Sequence, residues 1–376
     1  MNKTSPLSTV ELRWQNRNRV YRYLTQSAPV TKQDLAQALS MSLPTLSQNL
    51  KELTALGLVQ RAETADATVG RKPQLISAVP DARFALGAEL SRGHVRLAAV
   101  DLLENELAFQ CLDMPFGNDD RYAAALADAV ERFLDENHLD RQRLLGVCLA
   151  LPGLVGTDRN TLSYAPTLGV RQAVPCVVAA HIPYTVCLEN DANCGGFAAW
   201  CDRAHGESAA YLSVGRGVGG AVFIDDKLYA GTAHRAAEFG HMCLHPEGRR
   251  CGCGRQGCVE AYCSTARLSD ELSLSLEAFF TLLNRGDAAC EALWADYLDD
   301  LALVVNNIHV VLDCDVILGG LLSPFLTPYE ARLKARLSAL DPFAGEGGYL
   351  RLSRRRDHSI CVGAALRFTT KFISEV

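Results

Sequence analysis

The sequence predicts an N-terminal winged helix-turn-helix joined to a larger α/β domain of two lobes. Three observations lead there. Leucines recur at helical spacing between residues 43 and 56, just behind two shorter helical patterns. Strand-like segments beyond residue 84 arrive first as an antiparallel group and then alternate with helical patterns. Charge is divided unevenly: residues 1–79 carry ten Lys/Arg against five Asp/Glu, while the chain as a whole stands at −6. A small basic head on an acidic body points to a polyanionic partner for the head alone.

The elements follow in order. Residues 9–27 read as a helix, with Leu12, Val20, Tyr23 and Leu24 on its apolar face. Thr31 and Asp34 make a capping-box pattern for a short helix that ends near Ser40. Ser42 is a good N-cap for a third helix, and Pro44 is tolerated in its first turn. Leu43, Leu46, Leu50, Leu53 and Leu56 should point inward, and Gly57 should end the helix. Extended segments at 58–60 and 74–79, with a polar stretch between them, complete a two-stranded wing. Pro80-Asp81 marks the expected boundary between domains 1–80 and 81–376. In the body, strands are expected at 84–90, 95–101, 106–111, 144–151, 185–188 and 316–318, with two more around a glycine turn within 210–224. Helices are expected at 120–137, after Ala192, and at 301–311.

The third helix is the one a helix-turn-helix lays in the major groove. Ser42, Thr45, Ser47, Gln48 and Lys51 should face outward there, with Arg71 and Lys72 at the wing suited to phosphate or minor-groove contact. Gln pairs with adenine, and Thr contacts a thymine methyl. A helical protein-interaction module is the alternative for this head.

The strongest chemical signal lies in residues 241–260. Cys251, Cys253 and Cys258 fall within eight residues, separated by glycines, with His241 upstream. Three thiols and an imidazole match a closed, structural zinc site with one ion per chain. Cys243 and His245 are rival ligands, and a metal-free thiol cluster is the remaining reading. No secretory leader and no apolar run of membrane-spanning length appear, so a cytoplasmic protein without membrane insertion is expected, its thiols reduced.

These residues resemble the ROK family of repressors and sugar kinases. The resemblance rests on Glu238-Phe239-Gly240-His241, the cysteine cluster followed by Glu260, Glu189-Asn190-Asp191-Ala192-Asn193, the glycine turn at 213–220 and Gly70-Arg71-Lys72-Pro73 at the wing exit. It covers nearly the whole chain and is similar to the family's N-acetylglucosamine- and glucose-responsive repressors. It implies an actin-like (ribonuclease H-like) fold with a sugar or sugar phosphate in the cleft. Asn190 and Asp191 would bond the sugar hydroxyls, and Glu238, His241 and Glu260 would hold its anomeric end. Asp191 matches the base of the kinase members. Thr167 stands where the family often has a sugar-contacting Asn.

The resemblance leaves a sugar kinase as the rival reading, and one stretch argues against it. Family kinases open this domain with a glycine turn that accepts phosphate, whereas here the stretch is Glu89-Leu90-Ser91-Arg92-Gly93-His94. Side chains in place of glycine block the approach of an anion to backbone amides. The expectation is therefore no enzyme, but a sugar-controlled regulator, a repressor of carbohydrate genes. As a homodimer or tetramer it would bind a two-fold-symmetric operator.

Overall fold

A computed structural model of the chain describes residues 9–62, 74–202, 208–341, 347–355 and 358–376. The head is three helices, Thr9–Gln26, Lys32–Ala38 and Leu43–Ala55, against a small antiparallel sheet. Thr31 caps the second helix through the Asp34 amide at 3.2 Å, and Ser42 caps the third through the Thr45 amide at 3.3 Å. The wing sheet has three strands, because Val30–Thr31 pairs with Leu75–Ala78, which also pairs with Val59–Ala62. A two-residue strand has no periodicity to read. Arg71, Lys72 and the rest of the 63–73 segment lie outside the described residues.

Two expected core positions are corrected. Leu46, Leu50 and Leu53 are buried, but Leu43 and Leu56 are 46% and 52% exposed. They sit at the first turn and the C-cap of their helix, where the leucine stripe overruns the small core beneath it. Leu12 is 47% exposed for the same reason at the start of the first helix, while Val20, Tyr21 and Leu24 are buried.

The body contains two five-stranded sheets built to one plan. In the first, the strands lie in the order Val186–Asn190, Leu144–Leu151, Phe84–Leu90, His94–Asp101, Glu106–Asp113. The last three form an antiparallel meander, and the first two add to it in parallel. The second sheet repeats this with the meander Ala209–Val214, Val218–Ile224, Lys227–Leu228 and the parallel additions Asp315–Gly319 and Leu350–Leu352. In each lobe the first strand is central, flanked by its hairpin partner on one side and a parallel strand on the other. This duplicated order is the actin-like arrangement.

Two helices, Asp191–Cys201 and Ser359–Glu375, pack between the sheets and against each other. Their approach is backbone to backbone: a Cβ on Gly363 would lie 1.8 Å from the Cys194 carbonyl oxygen, and one on Gly87 would lie 1.7 Å from that of Cys361. Only glycine fits either crossing.

The terminal helix also leaves the body and ends in the head. Asn18 donates to the Ile373 carbonyl at 2.6 Å, Arg17 to that of Val376 at 2.9 Å, and the Trp14 indole to that of Glu375 at 3.2 Å. These bonds occupy carbonyls that a helix end leaves without partners. Val376 and Leu102 are buried in the same core as Val20, Tyr21 and Leu53, so the head packs on the body.

Candidate functional site

The parallel strand Val186–Asn190 delivers Asn190 and Asp191 to the cleft, where the next helix begins. Asn190 is the N-cap of that helix: its oxygen accepts from the Asn193 amide at 3.0 Å, and its nitrogen donates to the Gly153 carbonyl at 2.9 Å. One hydrogen and one lone pair remain for a ligand. Asp191 accepts from the Ala192 amide at 2.8 Å. Burial pushes its carboxyl from 3.8 up to about 7; the Ala192 N–H opposes the shift, and the nearby Glu89 and Glu238 carboxylates reinforce it.

Glu238 precedes a 3₁₀ turn, Phe239–His241, that follows the second hairpin. Burial raises its carboxyl, His241 counteracts, and Glu260 adds repulsion. Glu260 begins a short helix, Glu260–Cys263, and accepts from the Val218 amide at 3.0 Å. Gly217 lies close beside it: a Cβ there would be 2.9 Å from that carboxylate oxygen. Four carboxylates, Glu89, Asp191, Glu238 and Glu260, are thus linked by mutual repulsion around one cleft. That arrangement is costly when empty and suited to a ligand rich in hydroxyl donors. Thr167 lies exposed on the turn Pro166–Leu168.

The ligating atoms of His241, Cys251, Cys253 and Cys258 lie within 4.8 Å of one another, a cluster able to hold a metal ion. The Cys253 and Cys258 sulfurs are 3.7 Å apart, and Cys251 Sγ is 4.0 Å from His241 Nδ1. Zinc–sulfur bonds of about 2.3 Å at tetrahedral angles set sulfurs about 3.8 Å apart, so the donor set fits zinc. His241 turns Nδ1 to the thiols, and Nε2 remains as its other polar atom. Cys243 and His245 stand outside the cluster: His245 Nε2 bonds Asp300 at 2.6 Å, and the ring packs on Tyr262. Arg255 anchors the loop by donating to the His241 carbonyl at 2.8 Å.

The turn at Ser91–His94 is hydrogen-bonded within itself. The Ser91 hydroxyl donates to the His94 carbonyl at 2.8 Å and accepts from the His94 amide at 3.2 Å, while Glu89 is paired with Arg96 at 3.2 Å. Glycines remain in the second lobe for packing reasons: a Cβ on Gly319 would lie 2.3 Å from the Tyr211 ring, and one on Gly320 would lie 2.7 Å from the Val214 carbonyl oxygen.

On the third helix of the head, Thr45, Gln48 and Lys51 are exposed. Gln48 donates to Glu52 at 2.9 Å, and Glu52 is held by Arg13 and Arg17. Ser42 and Ser47 face the same way, but their hydroxyls are engaged locally, on Thr45 and on the Leu43 carbonyl. Leu43, expected inward, is exposed in the first turn of this helix.

Fold and site together define a sugar-kinase-type domain carrying a helix-turn-helix head. The chain belongs to the ROK family, whose profile matches residues 86–369. A MarR family profile matches residues 22–72. The DNA-binding transcriptional dual regulator NagC of Escherichia coli (strain K12) is 26% identical over 266 residues, 67% of this chain and 63% of that protein. The chain thus matches just under two thirds of that relative's length. An N-acetyl-D-glucosamine kinase of Salmonella arizonae is 32% identical over 239 residues, 57% of this chain and 77% of the kinase. A solved ROK family transcriptional regulator, described as a homolog of the E. coli MLC protein, has a TM-score of 0.78 at 19% identity and covers 97% of both chains. A ROK hexokinase from Thermus thermophilus has a TM-score of 0.63 at 24% identity, covering 76% of this chain and 97% of that one. The likeness to these structures is one of fold. The first spans head and body alike.

Proposed function

We propose that this protein is a DNA-binding transcriptional regulator, a repressor of carbohydrate-metabolism genes, whose operator affinity is set by a sugar or sugar derivative in the cleft. The observation that carries the reading is the join between its parts. The helix Ser359–Glu375 packs on the helix that begins at Asp191 and ends on Trp14, Arg17 and Asn18 of the head. A sugar that changes the lobe angle acts on this helix, and the change in DNA affinity is bounded by the sugar's preference for one lobe arrangement. The division at residues 80/81, a homodimer or tetramer matched to a two-fold operator, one structural zinc on His241, Cys251, Cys253 and Cys258, and a cytoplasmic location belong to the same reading. None of the described helices is long and apolar enough to cross a membrane.

The test is selection of sheared genomic DNA by the purified chain, with and without free and phosphorylated sugars. A palindromic site near carbohydrate genes, released by one sugar, is the expected result; no enrichment under any condition would overturn it. Within such a site, Gln48→Ala should weaken binding about 5–100-fold, as the loss of a base-reading side chain does, and relax the preference at one base pair. Sugar affinity should not change. Equal affinity for site variants before and after the substitution would remove Gln48 from the reading face.

A second reading, ATP-dependent sugar phosphorylation, is favoured by one observation: burial raises the carboxyl of Asp191, which matches the kinase base position by motif, to about 7, near the optimum for proton transfer. The self-bonded turn at Ser91 and the Glu89–Arg96 pair oppose it. Phosphorylation of any sugar in the panel at a turnover above the Asp191→Asn background would establish it.

A further inference from the structure

A cavity of about 270 Å³ opens beside the carboxylate cluster, and of the five residues assigned to the sugar only Asn190 lines it. Its walls are assembled from separate parts of the chain. Arg159 comes from the first lobe, Glu189 from the strand leading to Asp191, and Asn193 and Phe197 from the following helix. Lys227 comes from the second-lobe hairpin and Arg367 from the terminal helix. The hairpin reaches over the cavity on a tight turn in which Asp225 and Asp226 both take positive φ, 50° and 62°.

Glu189 is the centre of the arrangement. Its side chain is 9% exposed, and it faces Arg367 at 3.1 Å and Arg159 at 3.7 Å. Its Oε1 also accepts from the Asn193 amide group at 3.0 Å and the Asn190 backbone at 3.1 Å. A buried carboxylate this well satisfied fixes its two guanidinium partners in place. Each guanidinium has five N–H groups, and one carboxylate uses at most two. Both arginines line the cavity together with Asn193, Lys227 and Phe197, and Arg367 sits over the Phe197 ring at 5.2 Å. Donors and acceptors of both signs beside an aromatic face suit a neutral, hydroxyl-dense ring. An isolated anion would meet Glu189 and Asp226 along with the cations.

Asn190 is a wall shared by the cavity and the cleft, and the loop that lines the cavity at Ala230 and His234 runs directly into Glu238. We propose that the cavity is a subsite for a second sugar ring, so that the effector is a disaccharide or glycoside with one ring on Asp191, Glu238 and Glu260 and the other against Arg159, Lys227 and Arg367. The inference rests on the sugar-sensor reading. It also gives the ligand a direct hold on the helix that ends in the head, because Arg367 and the head-bonded carbonyls of Ile373, Glu375 and Val376 share that helix.

Calorimetric titration of the full chain with glucose, N-acetylglucosamine and xylose, and with cellobiose, N,N′-diacetylchitobiose and xylobiose, tests it. At least one dimer should bind tenfold or more tightly than its own monomer. Arg159→Ala combined with Lys227→Ala should erase that advantage and leave monomer affinity within twofold. Monomers binding as tightly as every dimer, or a dimer advantage that survives both substitutions, would overturn the subsite while leaving the sensor reading intact. Glucose 6-phosphate gaining tenfold over glucose through the same two cations would assign the cavity to an anion and overturn it as well. Absence of binding by every sugar would sink the subsite and the sensor reading together.

Discussion

On the proposed zinc-site reading, Cys253→Ser should abolish metal binding and cost the protein most of its sugar response. The four ligating atoms lie within 4.8 Å of one another on a loop whose shape depends on glycine, with Gly254 and Gly257 at φ of 92° and 80°. That loop has few apolar anchors: Cys251 and Cys258 are buried, while Cys243, Gly252, Gly254, Arg255 and Gln256 are exposed. Structural zinc contributes roughly 10–16 kcal/mol in small zinc domains, so a loop held mainly by its ligands should lose its order with the ion. His241 spans the two sites, with Nδ1 toward Cys251 and its backbone tied to Glu238 by a 3.0 Å bond. Were Nδ1 to ligate the ion, Nε2 would be left to carry a proton and could donate to a sugar oxygen. We expect the zinc content of the purified variant to fall from one per chain to less than a tenth. Its sugar affinity should fall about 100-fold, and its melting midpoint by several degrees. Chelation of the unaltered chain should reproduce all three effects, and added zinc should reverse them. A metal-free variant with unchanged sugar affinity would break the link between cluster and cleft.

The local chemistry was legible because it is local. Three thiols in eight residues, an Asn-Asp pair at a strand end and hydroxyl caps at Thr31 and Ser42 all lie within one or two turns of chain. What joins them was not. The terminal helix buries Cys361, Val362, Gly363, Ala364 and Ala365 in succession, a small-residue face with no amphipathic period to mark it. Its contact with the head links Asn18 to Ile373, 355 positions away. The Glu189–Arg367 pair on the cavity wall is also remote in sequence. Helical spacing also promised burial for Leu43 and Leu56, but spacing gives the direction of a side chain and not the extent of the core it faces. The duplicated sheet order was hidden for a related reason. Strand patterns gave the five strands of the first sheet and three of the second, missing the short Lys227–Leu228 and Leu350–Leu352, and strand order across a sheet is set by long-range pairing.

Asp191→Asn should both weaken sugar binding and stabilise the empty protein, the second effect growing with pH. In the folded chain this carboxyl titrates near 7 instead of 3.8, because it is buried and faces Glu89 and Glu238. A folded value above the unfolded one means the folded state holds the proton more tightly. Stability from this group is therefore intact below about pH 4, declines as pH rises, and reaches its floor above about pH 7. Each tenfold gain in proton affinity on folding corresponds to about 1.4 kcal/mol, so the loss at pH 8 is on the order of 4 kcal/mol. Asparagine keeps the shape and avoids the loss, so the melting midpoint of the variant should exceed that of the unaltered chain by several degrees at pH 8 and by much less at pH 5. A sugar reverses the balance. Its hydroxyls donate to the carboxylate, each such bond contributing about 1.5–3 kcal/mol, so the substitution should weaken binding roughly 10–100-fold. For the same reason the unaltered chain should bind its sugar more tightly at pH 8 than at pH 6, a trend the variant should lose. DNA affinity without sugar should be the same in both. A stability difference independent of pH would show that Asp191 is not held in a crowded, desolvated cleft. A sugar titration unchanged by the substitution would remove it from the binding site. The two outcomes together separate a carboxylate kept for ligand from one that merely starts a helix: Asp191 is the first residue after the N-cap Asn190, and a carboxylate there that only met the helix dipole would lose about 0.3–1 kcal/mol on becoming Asn rather than gain stability.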